Sequence, residues 1–407
     1  MSIPHPPFAI VGGRVLPVSS APLESGVVLV EDGRISAVGE SLAVPDGWGV
    51  VDATGKVVVP GFVEAHGHVG IHEEANGKAG DDTNEMTDPD TSFVRAIDAV
   101  NIEDVGFVDA LSGGVTTVVV KPGSGNPIGG QTVAIKSWGG RTIDEQLVSG
   151  SVSVKSALGE NPKRVYGEKG KTPSTRLGVA AVIRQAFIDA QDYAEARAAA
   201  ARDGKPFSRD LAKDTLVRVL DGELVWDQHV HRHDDIATAL RLQEEFGYRL
   251  VINHGTEAHK IADVLAERDV PVIFGPMLTS RSKVELKDRA IGNLAILARA
   301  GVRVAITTDH PVVPVNFLVH QASFAVKEGL DPVVALEALT INPAGFLGLD
   351  DRVGSLAPGL DADVVIWSGD PLDITSVAER VYIGGRLQFE VVEGSPVVAD
   401  RFFPSGR

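Results

Sequence analysis

The chain has 407 residues, of which 43 % are hydrophobic and 23 % charged, an ordinary globular composition that excludes a disordered chain. With 38 Lys and Arg against 55 Asp and Glu the net charge is −17, and no basic patch interrupts it, so nucleic acid is not an expected partner. Cysteine is absent, which removes disulfides, thiolate metal sites and thiol nucleophiles together. No apolar run is long enough to cross a bilayer, and the N-terminal segment lacks a charged n-region and a cleavage pattern. A cytoplasmic protein with no membrane contact is expected.

In chain order, the first sixty residues read as short strands with period-two patterning, at 9–16, 26–31, 34–38 and 56–59, punctuated by the Asp32-Gly33 turn. The C-terminus has the same texture, with strands at 362–367, 381–383 and 387–392 around Gly384-Gly385. Residues 1–60 and 346–407 are therefore expected to build one small β-sandwich domain from both termini. Between them, residues 61–345 repeat strand, loop and helix. Eight strands are predicted, at 57–66, 114–121, 131–137, 151–157, 224–229, 249–254, 270–275 and 302–309. Helical periodicity follows at 234–246, 258–267, 283–300 and 315–328, and a long helical insertion covers 175–220. Eight such units argue for an α/β fold of the (β/α)8, or TIM barrel, type. No helix fits between the second and third strands, only the loop 122–130. Residues 169–172 read as a mobile loop over the site.

In this fold class, chemistry sits at the C-terminal strand ends. The first strand ends Glu64-Ala65-His66-Gly67-His68, and alternation puts His66 and His68 on one face, a spacing that suits a divalent metal. On the fourth strand, alternation turns Ser151, Ser153 and Lys155 inward and Val152 and Val154 outward. A buried lysine has a high cost unless paired. Lys155 reads either as an ion pair with Glu64 or Asp309 or as a carbamylated lysine bridging two metals, and Glu160 is the competing carboxylate ligand. The fifth strand ends at His229 with His231 one pleat on, the sixth at His254, and the eighth at Asp309-His310.

The set Pro60-Gly61-Phe62-Val63-Glu64-Ala65-His66-Gly67-His68, Lys155, His229, His254 and Asp309 resembles the amidohydrolase superfamily, most of all its imidazolonepropionase-like and prolidase-like members. Residues 52–55, 341–344 and 354–363 resemble the segments returning that family's chain to its β-sandwich. The resemblance implies His66, His68, His229, His254 and Asp309 as metal ligands, with Lys155 as the bridging carbamate by position. It leaves open Glu160 in place of Lys155, His231 in place of His229, and one metal or two. Zinc suits a histidine and carboxylate set best, with manganese and iron as alternatives. The expected activity is hydrolysis of a C–N amide bond in a small molecule: a cyclic amide or imide, an N-acyl amino acid or a dipeptide. Asp309 is the expected general base, with His254 or His231 polarising the carbonyl. A deaminase of a small heterocycle and a non-catalytic scaffold are the alternatives.

Arg164, Arg176, Arg232 and Arg281 follow barrel strands and are candidates to clamp a substrate carboxylate, Arg164 and Arg232 foremost, against ordinary loop ion pairs. The glycine-rich run 123–130 lacks the lysine and spacing of a nucleotide loop and reads as a tight substrate-facing turn. His72, Glu73 and Glu74 read as solvated loop residues or supports of the site, and His5, His259 and His320 as structural. The expected partner is a small-molecule substrate, and the expected assembly a homo-oligomer.

Overall fold

The structure, a computed structural model, describes residues 6–401; His5 lies outside them. Strands β1 (Phe8–Val15), β2 (Leu23–Glu31), β3 (Arg34–Gly39), β4 (Gly49–Asp52) and β5 (Val57–Pro60) come from the N-terminal part of the chain. Strands β6 (Phe62–Gly67), β7 (Val115–Val120), β8 (Ile128–Gln131), β9 (Val133–Lys136), β10 (Leu147–Ser149) and β11 (Ser153–Ala157) follow. Next come β12 (Val225–Val230), β13 (Leu250–His254), β14 (Val272–Phe274) and β15 (Val304–Ile306). The chain closes with β16 (Val364–Trp367), β17 (Ala378–Ile383), β18 (Arg386–Val392) and β19 (Ser395–Val398).

The two ends of the chain meet where β5 pairs antiparallel with β16, Val58 opposite Ile366. Where the sequence reading expects two stacked sheets, backbone hydrogen bonds run through nine strands as one sheet, ordered β19-β18-β17-β16-β5-β1-β2-β3 with β4 beside β1. Val58, Val364 and Ile366 pack on one face with Ile10, Val28 and Ile35. Val57, Val59, Val365 and Trp367 pack on the other, in the main core. Burial on both faces explains the unbroken apolar run Val57-Val58-Val59. The long strand expected over 57–66 is accordingly two, divided at Gly61, where an added Cβ would fall on the Thr116 side chain. Lys136 at the end of β9 ties the two parts together through Asp361 (2.9 Å) and Asp363 (2.7 Å).

The remaining strands form two arcs, β10-β9-β7-β6 and β15-β14-β13-β12-β11-β8. β8 and β9 are one stretch of chain passing from arc to arc at Thr132, whose N–H donates to Ser153 O at 3.0 Å. This stretch runs antiparallel to both neighbours, β7 and β11. That is why no helix precedes it: an antiparallel partner needs only a loop, whereas a parallel one needs a crossover. At the other seam, Glu64 on β6 accepts from Thr308 N (2.9 Å) and from the hydroxyls of Thr307 (2.7 Å) and Thr308 (2.6 Å) beyond β15. Val63, Ala65, Val119, Ala134, Val152, Val225, Val251, Ile273 and Ala305 form one contiguous buried cluster. Strands β6, β7, β9, β12, β13, β14 and β15 contribute to it directly, and Val152 does so from the residue before β11. The cluster therefore fills the inside of the ring, with Ala344, Phe346 and Leu347 packed against it. Val152 thus faces inward, against the expectation, because β11 begins only at Ser153.

Outer helices follow the predicted pattern at His233–Phe246 and Leu318–Lys327, and the insertion contains Arg176–Asp203, capped by Thr175, and Leu211–Leu220. The helix expected over 283–300 is only Asn293–Arg299. Upstream of Gly292, Arg281 takes the carbonyls of Lys287 (3.0 Å) and Arg289 (2.9 Å), holding that segment as an irregular loop. Among the described residues no helix is long and apolar enough to cross a membrane.

Candidate metal centre

Strand ends converge on Asp309. Its Oδ1 lies 3.2 Å from His66 Nε2 and 3.3 Å from His68 Nε2, and these three side chains alone among the described residues form a group with metal-ligand spacing. A register shift between Glu64 and Gly67 on β6 accompanies the turn of His66 into this space. The His254 ring sits 4.9 Å from that of His66, 4.5 Å from that of His229 and 5.0 Å from that of His231. Both His254 (φ 69°) and Asp309 (φ 52°) are held in the left-handed region, which costs a side-chain-bearing residue about 1 kcal/mol or more. Thr307 Oγ1 accepts the Asp309 N–H at 3.0 Å and so stabilises one of these turns.

The tautomers follow from what each Nδ1 meets. His68 Nδ1 faces Lys121 O (2.7 Å) and His254 Nδ1 faces Gly275 O (2.8 Å), acceptors that require a proton on Nδ1. His66 Nδ1 faces Asn253 Oδ1 (2.7 Å), an acceptor too, because the Asn253 amide nitrogen donates to Asp227 and Lys121 donates to the same oxygen. All three rings therefore present an unprotonated Nε2 inward, and those of His66 and His254 are buried without a hydrogen-bond partner. Orphaned buried nitrogens with carbonyl-anchored partners on the opposite ring atom are the arrangement of metal-binding histidines. Burial pushes His66 down to about 4, helped by Lys155, and lowers His254 strongly. Burial alone raises the Asp309 carboxyl, but His254, His66 and His68 outweigh it and hold it well below the usual carboxylate range. The donor set is thus neutral imidazole plus ionised carboxylate, and it fits a divalent cation.

His229 and His231 both reach the cluster, their rings 4.7 Å apart. His231 Nδ1 pairs with Thr256 Oγ1 at 2.9 Å, and burial brings it down to about 3. His229 Nδ1 pairs with Ser124 Oγ at 2.9 Å, and its Nε2 meets Asn161 Nδ2 at 3.4 Å. Lys155 is fully buried and inward, its Nζ donating to Ser124 Oγ (3.1 Å) and Pro122 O (3.4 Å). No carboxylate pairs with it among the described residues, so neither ion pair weighed for it is present. Burial lowers its amine to about 8.

Other expectations are redistributed. Glu160 opens the helix Glu160–Gly167 and lines a surface depression with Lys163 and Arg164. Successive helical residues diverge by about 100°, and it is Asn161 that turns to His229. Arg232 donates through Nε and Nη2 to Asp234 (2.8 and 2.7 Å), and Arg176 is held by Asp235 (2.9 Å) and Glu285. His72 pairs with Asp81 and Glu73 with Asn76 and Asn101, on the loop after β6. His310 accepts Val315 N–H on Nδ1, so its Nε2 carries the proton and offers no lone pair. Lys169 donates to Met86 O, which ties the 169–172 loop to the segment over the glycine-rich turn. That turn carries Ser124 to His229 and Lys155, and its glycines let it lie against Asn84 and Met86.

The sequence reading missed the network beneath. Lys121, at the end of the β-branched run Val115–Val120, forms a fully buried ion pair with Asp227, which also accepts from Ser153 (2.9 Å) and Asn253. The argument applied to Lys155 applies unchanged to Lys121, and Asp227 shares the face of His229 two residues on. Both were findable by alternation.

The amidohydrolase family profile matches residues 57–394. An amidohydrolase structure from Thermotoga maritima superposes with a TM-score of 0.90 at 47 % identity, covering 94 % of this chain and all of that one. A prolidase structure complexed with N-methylphosphonate-L-proline, at 21 % identity and TM-score 0.60, shares the fold. The amidohydrolase tasK of Hapsidospora irregularis is 29 % identical over 92 % of this chain, which spans 41 % of that protein's length. An adenine deaminase of Moorella thermoacetica is 25 % identical over 96 % of this chain, which spans 58 % of it, and an imidazolonepropionase of Streptococcus sanguinis is 25 % identical over 90 % of both. A profile that takes in the barrel and strands β5 and β16 to β18 of the terminal sheet, over a site of inward histidines closed by Asp309, makes this chain a member of the amidohydrolase family.

Proposed function

We propose that the protein is a metal-dependent hydrolase that cleaves a C–N amide bond in a small molecule. The observation carrying this reading is the convergence of His66 and His68 on Asp309, with the ring of His254, its Nε2 also without a partner, beside that of His66. His66, His68, His254 and Asp309 would hold the metal, with His229 or His231 completing the set and Lys155, as its carbamate, joining if two ions bind. Zinc is the cation the donor set favours. A bound divalent ion supplies Lewis acidity and makes water ionisable near neutral pH.

The chain's own residues supply the rest. Asp309, with its side chain 19 % exposed, is reachable by water and ionised, so it takes the proton of the attacking water and returns it to the leaving nitrogen. If His229 is the one that completes the metal set, His231, fixed by Thr256, is left to donate through Nε2 to the carbonyl oxygen as negative charge develops there. The fully buried Lys155 amine, without a carboxylate partner and softened by burial, has the nucleophilicity that reaction with carbon dioxide requires.

The similarity to an adenine deaminase favours a second reading, attack on the amidine carbon of a heterocycle by the same groups with release of ammonia. Both are tested by metal analysis after purification without chelator, followed by a screen of hydantoins, lactams, N-acyl amino acids, dipeptides and aminopurines for amine and ammonia release. Protein that binds no zinc or manganese stoichiometrically, and gains no activity when they are added, is a scaffold and overturns the proposal. A homo-oligomer acting in the cytoplasm on a small molecule remains part of the proposed picture.

A further inference from the structure

The arginines expected at the mouth have their guanidinium groups engaged by other parts of the chain or lie in the outer depression. Besides the fully buried Lys155, the cation that reaches the histidines is Lys283, on the loop after β14. It is half-buried, and its Nζ donates to Asn161 Oδ1 at 3.0 Å. With that oxygen accepting, the other end of the amide is an NH2 group, and it is this nitrogen that meets His229 Nε2 at 3.4 Å. A single amide group therefore separates the Lys283 ammonium from the histidine cluster.

Among the described residues no carboxylate pairs with Lys283. Of the other cations nearby, Arg176, Arg232 and Lys260 each have at least one carboxylate partner, and Arg281 is engaged by the Lys287 and Arg289 carbonyls. Lys155 also has no carboxylate partner among the described residues, but it is fully buried, whereas Lys283 is half-buried and so open to a ligand entering from solvent. An ammonium has three N–H donors; Asn161 takes one and two are left.

We propose that Lys283, held in place by Asn161, binds a carboxylate of the substrate, so that the compounds cleaved are N-acyl amino acids or related amides bearing a free carboxylate. A single ammonium with two free donors matches the single charge and two oxygens of a carboxylate. A phosphate dianion calls for further cations or a guanidinium fork, and Arg176 and Arg232 are already taken by carboxylates of this chain. The inference rests on the hydrolase reading and adds the substrate class to it.

The test pairs N-acetyl-L-amino acids with their carboxamides on the zinc-loaded protein, measuring binding by titration calorimetry and turnover by amine release. A charged hydrogen bond of this kind gives the carboxylate roughly a 10- to 100-fold preference over the carboxamide. Lys283→Met brings that ratio close to one, Lys283→Arg keeps part of it, and Lys287→Met, which removes an exposed charge from the same loop, leaves it in place. A parent with no preference, a preference that survives Lys283→Met, or no binding of either compound overturns the proposal. Carboxamides cleaved as readily as carboxylates leave the hydrolase reading standing and remove the anion site. Carboxylates bound through Lys283 without any cleavage do the reverse.

Discussion

The lower and upper halves of the barrel interior are built from the same strands and differ in kind. Below, β7, β12 and β13 contribute Val119, Val225 and Val251 to an apolar floor. Two residues further along, the same strands present Lys121, Asp227 and Asn253, all fully buried and all joined in one hydrogen-bonded network. The floor is stabilised by burial, at about 25 cal/mol per Å2 of apolar surface, and tolerates small changes of shape. The network is stable only while complete, because each of its members is a polar or charged group out of reach of water. Its top member, Asn253, orients His66, so the fold's most exacting electrostatics lie directly under the chemistry.

The comparison is broken most severely at the top. Asp309→Asn should leave the fold and most of the metal binding intact while turnover falls by about 10²–10⁴, the contribution of a positioned acid–base group. Activity within a few-fold of the parent, measured on whichever amide the screen identifies, would mean another residue is the base. One layer down, Asp227→Ala strands the Lys121 ammonium and should cost about 3–5 kcal/mol in urea unfolding, whereas the double change Lys121→Met with Asp227→Leu should cost far less. Equal losses for the two variants would show that shape rather than charge governs this layer. Removing metal with a chelator should lower the melting temperature, by the equivalent of about 2.7 kcal/mol when the free metal had stood at a hundred times its Kd. A chelated protein that melts with the parent would remove the metal from the stability account. In the floor, Ile273→Val should cost only about 0.5–1.5 kcal/mol and leave metal content unchanged. A larger loss, or lost metal, would show that floor and network are coupled.

Much of the site was legible because barrel chemistry collects where strands end and a strand's period is two. His66 with His68, His254 and Asp309 stand out on that ground alone. Glu160 and Asn161 show the limit of the method: adjacent in sequence, they open a helix in which Glu160 lines a depression with Lys163 and Arg164 while Asn161 meets His229. Lys121 was overlooked while Lys155 was weighed, although the same burial argument covers both. Their difference is visible only in space, one amine meeting Asp227 and the other meeting a hydroxyl and a carbonyl.

Local chain chemistry by itself determined the strand–loop–helix repeat, the shared origin of the terminal strands and the histidine pairs, since each depends on patterns within a few residues. Tertiary structure decided the rest. It set β8 and β9 antiparallel to their neighbours, divided the 57–66 run between two sheets at Gly61, and occupied Arg176 and Arg232 with carboxylates while leaving Lys283 without one. Those outcomes turn on which groups from distant parts of the chain compete for the same partner, and no window of sequence contains both competitors.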